Sequence, residues 1–273
     1  ANCDGSGGVA GAFLNRVLAN RRPRRDGGSA LAHFLSKNGR ILGEATVTRR
    51  SSSHFYLLSA ASAELRDLDH LLQQVHTGEQ VEIHNATEDR GVIVLAGPRA
   101  RDVLGSLTDA SLESADFPWR SAQEIDIAGI GTLALRINYV GELGWELHPP
   151  MADLPALYTA LWSAGEAYGI ADFGLYALNS LRMEKAYRGW GAELTNEVTM
   201  LEADMARFFG SAKEDFVGKT ATETGEAGPL RLVYFEVDAE NADVRGGEPI
   251  FLNDACIGVT TSGGYGYAVE KSL

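Results

Sequence analysis

The chain has 273 residues, of which 45% are hydrophobic and 22% are charged, a composition typical of a globular protein. Aspartate and glutamate outnumber lysine and arginine by 37 to 24, and the net charge of −13 argues against a nucleic-acid-binding protein. No apolar run reaches the roughly 18–20 residues of a membrane span, so no membrane partner is expected. Residues 1–12 lack the pattern of a signal peptide, and two cysteines are too few for a disulfide framework. We therefore expect the cytoplasm, or the mitochondrial matrix in a eukaryote.

Hydrophobic spacing predicts five elements in the first 75 residues. These are a helix over 10–20, strands over 30–35, 41–49 and 54–60, and a helix over 63–75. The first two strands are separated by Asn38 and Gly39, which tolerate positive φ and predict a hairpin. Ser62 is expected to cap the second helix. The residues predicted on the buried side of that helix are Leu65, Leu68, Leu72 and Val75.

The pattern in the rest of the chain predicts a second region of mixed helices and strands, followed by a region of short strands. Strands are predicted over 91–95, 124–127, 133–139 and 146–149, and helices over 98–104, 154–168 and 174–183. From about residue 216 the pattern is one of short strands, over 230–237, 249–252 and 256–261. The sequence therefore predicts a mixed α/β body over residues 1–210 and a C-terminal β domain over 211–273.

Most catalytic and binding motifs are not found in the sequence. The six histidines show no paired spacing typical of metal ligands, so no metal site is predicted. There is no phosphate-binding glycine loop of the Walker type and no nucleophile elbow. One basic cluster, formed by Arg21, Arg22, Arg24 and Arg25, is either a solvated loop or a patch that binds anions.

The segment 136–147, with the sequence RINYVGELGWEL, combines two glycines, two acids and two aromatic residues between two predicted strands. Gly141 and Gly144 permit a sharp reversal of the backbone. Glu146 alternates with Trp145 and Leu147, so the acid and the apolar pair lie on opposite faces of the strand. Such a carboxylate accepts hydrogen bonds from the N–H groups of a ligand when it faces an apolar pocket. The alternative is a plain hairpin with solvent-exposed acids.

The stretch YVGELGWEL (139–147) resembles the signature of the aminomethyltransferase, or glycine-cleavage T-protein, family. It is most similar to the tetrahydrofolate-binding domains of dimethylglycine and sarcosine dehydrogenases and oxidases. Further stretches resemble the family in the same order, at 14–20, 38–49, 174–205, 216–221 and 247–273. The resemblance implies an α+β fold, the aminomethyltransferase folate-binding fold, with a mixed α/β body around a central channel. A small C-terminal β-barrel-like domain is expected to follow.

The resemblance also implies site residues. Tetrahydrofolate, the expected cofactor, would lie in the central channel, which Tyr139 would line. Glu146 matches the glutamate that accepts hydrogen bonds from the pterin ring. Asp67 falls where the family places its catalytic acid, and Asp69 is the alternative if the alignment is shifted. In the motif SLRMEKAYRGW (180–190) one arginine and one tyrosine either hold the glutamate tail of folate or brace the site: Arg182 and Tyr187.

The function implied by the resemblance is tetrahydrofolate-dependent one-carbon transfer, coupled to oxidative demethylation of a methylated glycine such as dimethylglycine or sarcosine. A flavin-bearing dehydrogenase subunit or domain is the expected partner. The alternatives are aminomethyl transfer from a lipoyl carrier protein, demethylation of a methyl ether or sulfonium compound, and a non-catalytic folate-binding or regulatory module. The sequence departs from the family at both ends: residues 1–8 are not predicted to form the usual first strand, and the C-terminal domain is expected to be truncated.

Overall fold

The computed structural model describes the backbone of residues 2–6 and all atoms of residues 9–210, 212–225 and 228–273. The strands are β1 (Asn2–Ser6), β2 (Ser29–Leu35), β3 (Ile41–Arg49), β4 (Phe55–Ser59), β5 (Glu82–Asn85), β6 (Ile93–Ala96), β7 (Ala122–Ile127), β8 (Ile130–Leu135), β9 (Gly144–His148), β10 (Pro249–Leu252), β11 (Ala255–Val259), β12 (Tyr265–Gly266) and β13 (Lys271–Ser272). The helices are α1 (Ala10–Val17), α2 (Glu64–Gln73), α3 (Ala100–Gly105), α4 (Leu154–Gly165), α5 (Leu175–Met183) and α6 (Lys219–Thr224). Within the described part of the chain, no helix is long and apolar enough to cross a bilayer.

A five-stranded antiparallel sheet in the order β2-β3-β4-β1-β5 forms the first half of the body. The hairpin between β2 and β3 turns at Gly39, whose φ is 74°, and contains a bulge between Phe34 and Leu35. Phe34, Ala45 and Val47 point toward α1 and α2, where they are buried with the apolar face of α1. The opposite face of β3 is not covered by α1 or α2 and can therefore line a binding site.

The strand β1 was not expected from the sequence of residues 1–8. It lies inside the sheet, where it pairs with β4 on one side and with β5 on the other. A Gly- and Ser-containing strand carries little apolar signal, and its pairing is supplied by neighbours that are distant in sequence.

The buried face of helix α2 matches the predicted one at two of four positions. Leu65 and Leu72 are 77% and 50% exposed, whereas Asp67 and Leu71 are buried. The other two predicted positions pack against the core. The adjacent Leu71 and Leu72 lie about 100° apart on the helix, so the spacing alone did not decide which of them faces inward. The predicted cap by Ser62 is not made.

A four-stranded antiparallel sheet in the order β6-β9-β8-β7 forms the second half of the body. Helices α3 and α4 cover one face of it, where Trp145 and Leu147 of β9 are fully buried. Phe117 meets the Trp145 ring edge-on at 6.2 Å. This packing fixes the face on which Glu146, between them, must lie.

The C-terminal residues form two hairpins, β10–β11 and β12–β13. The strand predicted over 230–237 is wrong: in the described structure this stretch makes one isolated bridge, between Val237 and Ser272. Three of its apolar residues, Leu230, Val233 and Phe235, are more than half exposed. The proposed domain boundary at 210/211 stays a prediction, and residue 211 lies outside the described residues.

Candidate functional site

A cavity of about 770 Å³ opens on the face of the first sheet that is turned away from α1 and α2. Its charged and aromatic lining consists of Glu44, Glu146, Tyr139, Tyr187, Trp119, Phe208, Phe209, Arg21, Arg120, Arg188 and Arg207. The volume lies in the range of about 300–1,000 Å³ that holds a small organic ligand. Three of the sequence-predicted site residues, Tyr139, Glu146 and Tyr187, therefore meet at one cavity.

Glu146 occupies the position that strand alternation predicted. Its side chain is 14% exposed and lines the cavity, while its neighbours on β9 are buried in the opposite core. The Oε2 atom is buried and has no hydrogen-bond partner among the described residues. His148 Nε2, which is also unpaired, lies 3.8 Å away, beyond hydrogen-bond distance. A buried carboxylate oxygen without a partner is costly, so this atom is well suited to accept an N–H from a ligand.

Two tyrosines form one wall of the cavity. The rings of Tyr139 and Tyr187 stack with centroids 6.1 Å apart and an interplanar angle of 24°. The Tyr139 hydroxyl donates a hydrogen bond of 2.6 Å to the carbonyl oxygen of Arg188. Burial raises the pKa of Tyr139 to about 12. The phenol is therefore neutral at physiological pH.

Glu44 is a second cavity carboxylate that the sequence analysis missed. It lies on β3 directly opposite His33 of β2. Their side chains meet with His33 Nε2 3.0 Å from Glu44 Oε2. The carboxyl group is 20% exposed and the imidazole is fully buried. The signal was present in the predicted hairpin, because cross-strand partners share a face, but it required the register of the strands to be known.

Asp67, the predicted catalytic acid, is not among the cavity-lining residues. It is 4% exposed, and its Oδ1 accepts hydrogen bonds of 2.8 and 3.2 Å from Arg66. That oxygen faces Gly43, where a Cβ would lie 3.0 Å from it. Because Gly43 and Glu44 point to opposite faces of β3, the sheet lies between Asp67 and the cavity. The alternative acid, Asp69, is exposed and bonded to Gln73. The Oδ2 atom of Asp67 is buried without a hydrogen-bond partner among the described residues, and the catalytic role of Asp67 stays a prediction.

Arg182 also lies outside the cavity lining. It is 4% exposed and forms an ion pair of 2.9 Å with the buried Glu193. Its five N–H groups donate to Asn179, Glu193, Ser262 and the carbonyl oxygen of Tyr187. A guanidinium that is saturated in this way braces the chain around Tyr187 and has no donor left for a ligand.

The cavity is basic although the chain is acidic. Arg21 is the member of the predicted basic cluster that reaches it, together with Arg120, Arg188 and Arg207. Arg188 is paired with Asp204, and the three remaining guanidinium groups outnumber the two carboxylates, which favours a ligand that carries anionic groups. In the part of the chain described above, no group of three or more histidine, cysteine or acidic residues is placed to hold a metal ion.

Comparison with known families agrees with this architecture. Residues 2–213 match the model of the GCVT N-terminal domain, and residues 231–273 match that of the glycine cleavage T-protein C-terminal barrel domain. The chain belongs to the glycine cleavage T-protein family. The family predicted from the motifs, and the α+β fold with its C-terminal barrel domain, are thereby confirmed.

Relatives that are similar to this chain include dehydrogenases and aminomethyltransferases. Dimethylglycine dehydrogenase, mitochondrial, of Homo sapiens is 39% identical over 265 residues, which is 96% of this chain and 30% of that protein. An aminomethyltransferase of Listeria innocua is 33% identical over 255 residues, 92% of this chain and 68% of that protein. The chain thus spans about a third of the length of the dehydrogenases that it matches.

The fold itself is similar to a solved aminomethyltransferase T of the glycine cleavage system from Bartonella henselae. The two share a TM-score of 0.84 at 24% sequence identity, over 99% of this chain and 73% of the other. Because the sequence identity is low, this likeness speaks for the shared architecture and leaves the ligand to be argued from the cavity.

Proposed function

We propose that the protein binds tetrahydrofolate in the cavity and transfers a one-carbon unit that originates from dimethylglycine or sarcosine. The 39% identity to a dimethylglycine dehydrogenase over nearly the whole chain supports this substrate class. The chain corresponds to less than a third of that relative, so oxidation of the methylated glycine is assigned to a flavin-bearing domain or subunit. In a eukaryotic cell we expect the mitochondrial matrix, since the dehydrogenase relatives are named as mitochondrial.

The unpaired Oε2 of Glu146 carries this proposal. The pterin ring of a folate presents an amide-like N–H beside an amino group, and two parallel donors match the two oxygens of one carboxylate. Bound tetrahydrofolate would supply two amine nitrogens, N5 and N10, that together take up the one-carbon unit. The residues present fit such a ligand, because a buried acceptor, an aromatic wall and a basic rim line the same cavity.

The chain's own residues would bind the ligand and exclude water. The stacked pair of Tyr139 and Tyr187 supplies a flat apolar wall for an aromatic ring system. Arg21 and Arg207 at the same cavity are suited to the carboxylates of a glutamate tail. Rate enhancement in such a site comes mainly from holding the reacting groups together in a fixed geometry.

The proposal for binding is tested by calorimetric titration of tetrahydrofolate into the Glu146→Gln variant. We expect binding to weaken by about 1.5–3 kcal/mol, roughly tenfold to a hundredfold in Kd, because one amide N–H would then face a ligand donor. Glu142→Gln is the matched control, since Glu142 lies in the same turn but outside the cavity lining. Equal affinities of Glu146→Gln and the unchanged protein would remove Glu146 as the pterin anchor.

Two acids compete for the role of proton carrier in the transfer step. We place Glu44 first because it lines the cavity, and Asp67 second because the family resemblance points to it. The assay follows 5,10-methylenetetrahydrofolate formed in the presence of dimethylglycine and a flavin-dependent dehydrogenase. We expect Glu44→Gln to slow product formation by at least about tenfold, within the range of a positioned acid–base group. A larger loss with Asp67→Asn than with Glu44→Gln would reverse the order.

Aminomethyl transfer from a lipoyl carrier is the second candidate, favoured by the aminomethyltransferase relative of which the chain covers two thirds. The two functions separate when the pure protein and tetrahydrofolate are given either donor. Product from the aminomethylated lipoyl carrier alone would establish the second candidate. Folate binding without product from either donor would instead identify a non-catalytic folate-binding module.

A further inference from the structure

Three side chains form a hydrogen-bonded row whose two ends, Asn20 and Glu44, both line the cavity. Asn20 is 4% exposed, His33 is fully buried, and Glu44 reaches the cavity lining. His33 Nδ1 lies 3.2 Å from Asn20 Oδ1, and His33 Nε2 lies 3.0 Å from Glu44 Oε2. Both ring nitrogens of one imidazole are thus engaged, each with an oxygen.

The orientation of the Asn20 amide follows from a third contact. The backbone N–H of His33 donates to Asn20 Oδ1 at 2.8 Å. A backbone N–H only donates, so the atom that faces it must be the amide oxygen and not the amide nitrogen. That same oxygen faces His33 Nδ1, which must therefore carry a hydrogen to form its bond.

A proton is consequently required between His33 and Glu44. With Nδ1 protonated, a neutral imidazole presents a lone pair at Nε2, and an ionised carboxylate presents only lone pairs. Two acceptors at 3.0 Å repel each other, so the contact is favourable when one additional proton lies between Nε2 and Oε2. Its two forms, imidazolium with carboxylate and imidazole with carboxylic acid, both give the pair a net charge of zero.

Asn20 itself is held in place from behind. Lys213 Nζ donates to the carbonyl oxygens of Asn20, at 3.1 Å, and of Leu18. The backbone N–H of Ala19 donates to the carbonyl oxygen of His33 at 2.9 Å. The segment 18–20 is therefore fixed against β2, and the amide oxygen that selects the histidine tautomer cannot easily move away.

We propose that His33, oriented by Asn20, is the positioning residue that keeps a proton available to Glu44, the proton carrier of the proposed function. When a basic nitrogen of the ligand takes the proton from Glu44, the pair is left as neutral imidazole, still protonated at Nδ1, and carboxylate. The pair then has a charge of −1 and two facing lone pairs, which favours recapture of a proton. The identity of the ligand rests on the proposed function, whereas the shared proton does not.

The charged and titratable groups around the pair are few. Lys213 approaches from the far side of Asn20, and burial lowers its pKa to about 8. Tyr139, which interacts electrostatically with Glu44, is neutral at physiological pH. Phe208 covers the imidazole with its ring centroid 6.0 Å away. The shared proton is therefore exchanged through the cavity side, where Glu44 is partly exposed.

The tautomer is tested without any ligand, by NMR of the full chain labelled with ¹⁵N in its histidine rings. We expect His33 to keep its Nδ1 proton at every pH at which the protein is folded. His84 is the matched control, since its Nε2 contacts Asp89 at 2.7 Å but both side chains are largely exposed. In Asn20→Ala, Nδ1 loses its acceptor and the neutral ring is expected to carry its hydrogen on Nε2. A neutral His33 protonated on Nε2 in the unchanged protein would overturn the proposal, whether or not Asn20→Ala folds.

The role of the pair is tested with His33→Gln. We expect product formation to slow by about tenfold or more, while the Kd for tetrahydrofolate from calorimetry changes less than twofold. A loss of affinity parallel to the loss of turnover would mark His33 as merely structural and overturn its role. If the unchanged protein binds no tetrahydrofolate, the proposed function fails while the NMR result on the shared proton still stands.

Discussion

The body of the protein and its C-terminal segment (228–273) bury their apolar side chains to very different degrees. In the body, large residues such as Tyr56 and Trp145 are fully buried in cores between sheets and helices. In the C-terminal segment, Phe251, Ile257 and Tyr267 are 61%, 59% and 78% exposed. The body is therefore stabilised by hydrophobic burial, and the C-terminal segment must be held to it by other contacts.

Those other contacts are polar and are made to α5 and to Glu193, which pairs with Arg182 of α5. Ser180 donates to the carbonyl oxygen of Tyr265 at 2.6 Å, and Arg182 donates to Ser262 at 2.6 Å. Thr261 donates to the buried carboxylate of Glu193 at 2.9 Å. The ion pair of Arg182 with Glu193 thus lies at the joint between the two regions. The stability of this joint depends on the geometry of its hydrogen bonds, because a buried polar group that loses its partner lowers the free energy of unfolding.

The largest expected loss of stability is that caused by Arg182→Met. This substitution leaves the Glu193 carboxylate buried without its cation, which typically lowers the free energy of unfolding by about 3–5 kcal/mol. We expect the free energy of unfolding in urea to fall by that amount, and the NMR signals of residues 261–268 to lose their native shifts first. Lys271→Met is the control within the C-terminal segment, where the pair of Lys271 with Glu236 is exposed and contributes at most about 1 kcal/mol. Equal losses of unfolding free energy from the two variants would mean that the buried ion pair contributes no more to stability than the exposed one.

The second effect compares two isoleucines in strands. Ile41 of β3 is fully buried, whereas Ile257 of β11 is 59% exposed. We expect Ile41→Ala to lower the free energy of unfolding by about 2–4 kcal/mol, through lost transfer energy and the cavity left behind. Ile257→Ala should change it by less than about 0.5 kcal/mol. A large loss from Ile257→Ala would show that the exposed hairpin is covered in solution, which urea unfolding at several protein concentrations would reveal.

The smallest effect concerns two acids, one in each region, whose pKa values are both lowered to about 2. Glu79 is held by hydrogen bonds of 2.8 and 2.9 Å from Arg16, and Glu248 by the Thr260 hydroxyl and backbone N–H groups. A carboxyl group whose folded pKa lies below its unfolded value of 4.5 stabilises the fold above that pH. The contribution is lost as the pH falls toward 2.

We therefore expect Glu79→Gln to lower the free energy of unfolding by about 1 kcal/mol at pH 6.5. The difference from the unchanged protein should shrink at pH 3, where urea unfolding is repeated. Glu248→Gln is expected to leave global unfolding unchanged and to loosen only the turn before β10. A pH-independent loss from Glu79→Gln would assign its effect to packing.

Much of the body could be predicted from periodicity and turn signals alone. The β2–β3 hairpin, α4 and α5 appear close to their predicted positions because each has a strong apolar pattern and clear end signals. The placement of Glu146 was predictable for the same reason, since alternation with Trp145 and Leu147 leaves one orientation. The predicted strand over 230–237 failed because a strand also needs a neighbour, which local sequence does not encode.

The pairing of the second cavity acid with His33 was not predictable, for a reason that lies in a single bulge. Across a regular hairpin that pairs Leu35 with Ile41, Glu44 would stand opposite Ala32. The bulge between Phe34 and Leu35 shifts the register by one residue and places Glu44 opposite His33. Asp67 and Arg182 illustrate the converse, because motif position identified them while their contacts depend on packing that the motif does not specify.

The interior position of β1 has a consequence for how the first sheet assembles. This strand pairs Asn2 with Leu58 and Cys3 with Asn85, partners that are more than 50 and more than 80 residues away along the chain. Strands β2, β3 and β4 are joined by short connections and can pair locally. In contrast, β5 has no described strand neighbour other than β1. Loops of that length close slowly relative to local hairpins. We therefore expect β1 to join the sheet after β2, β3 and β4 have paired, and to attach β5 to them.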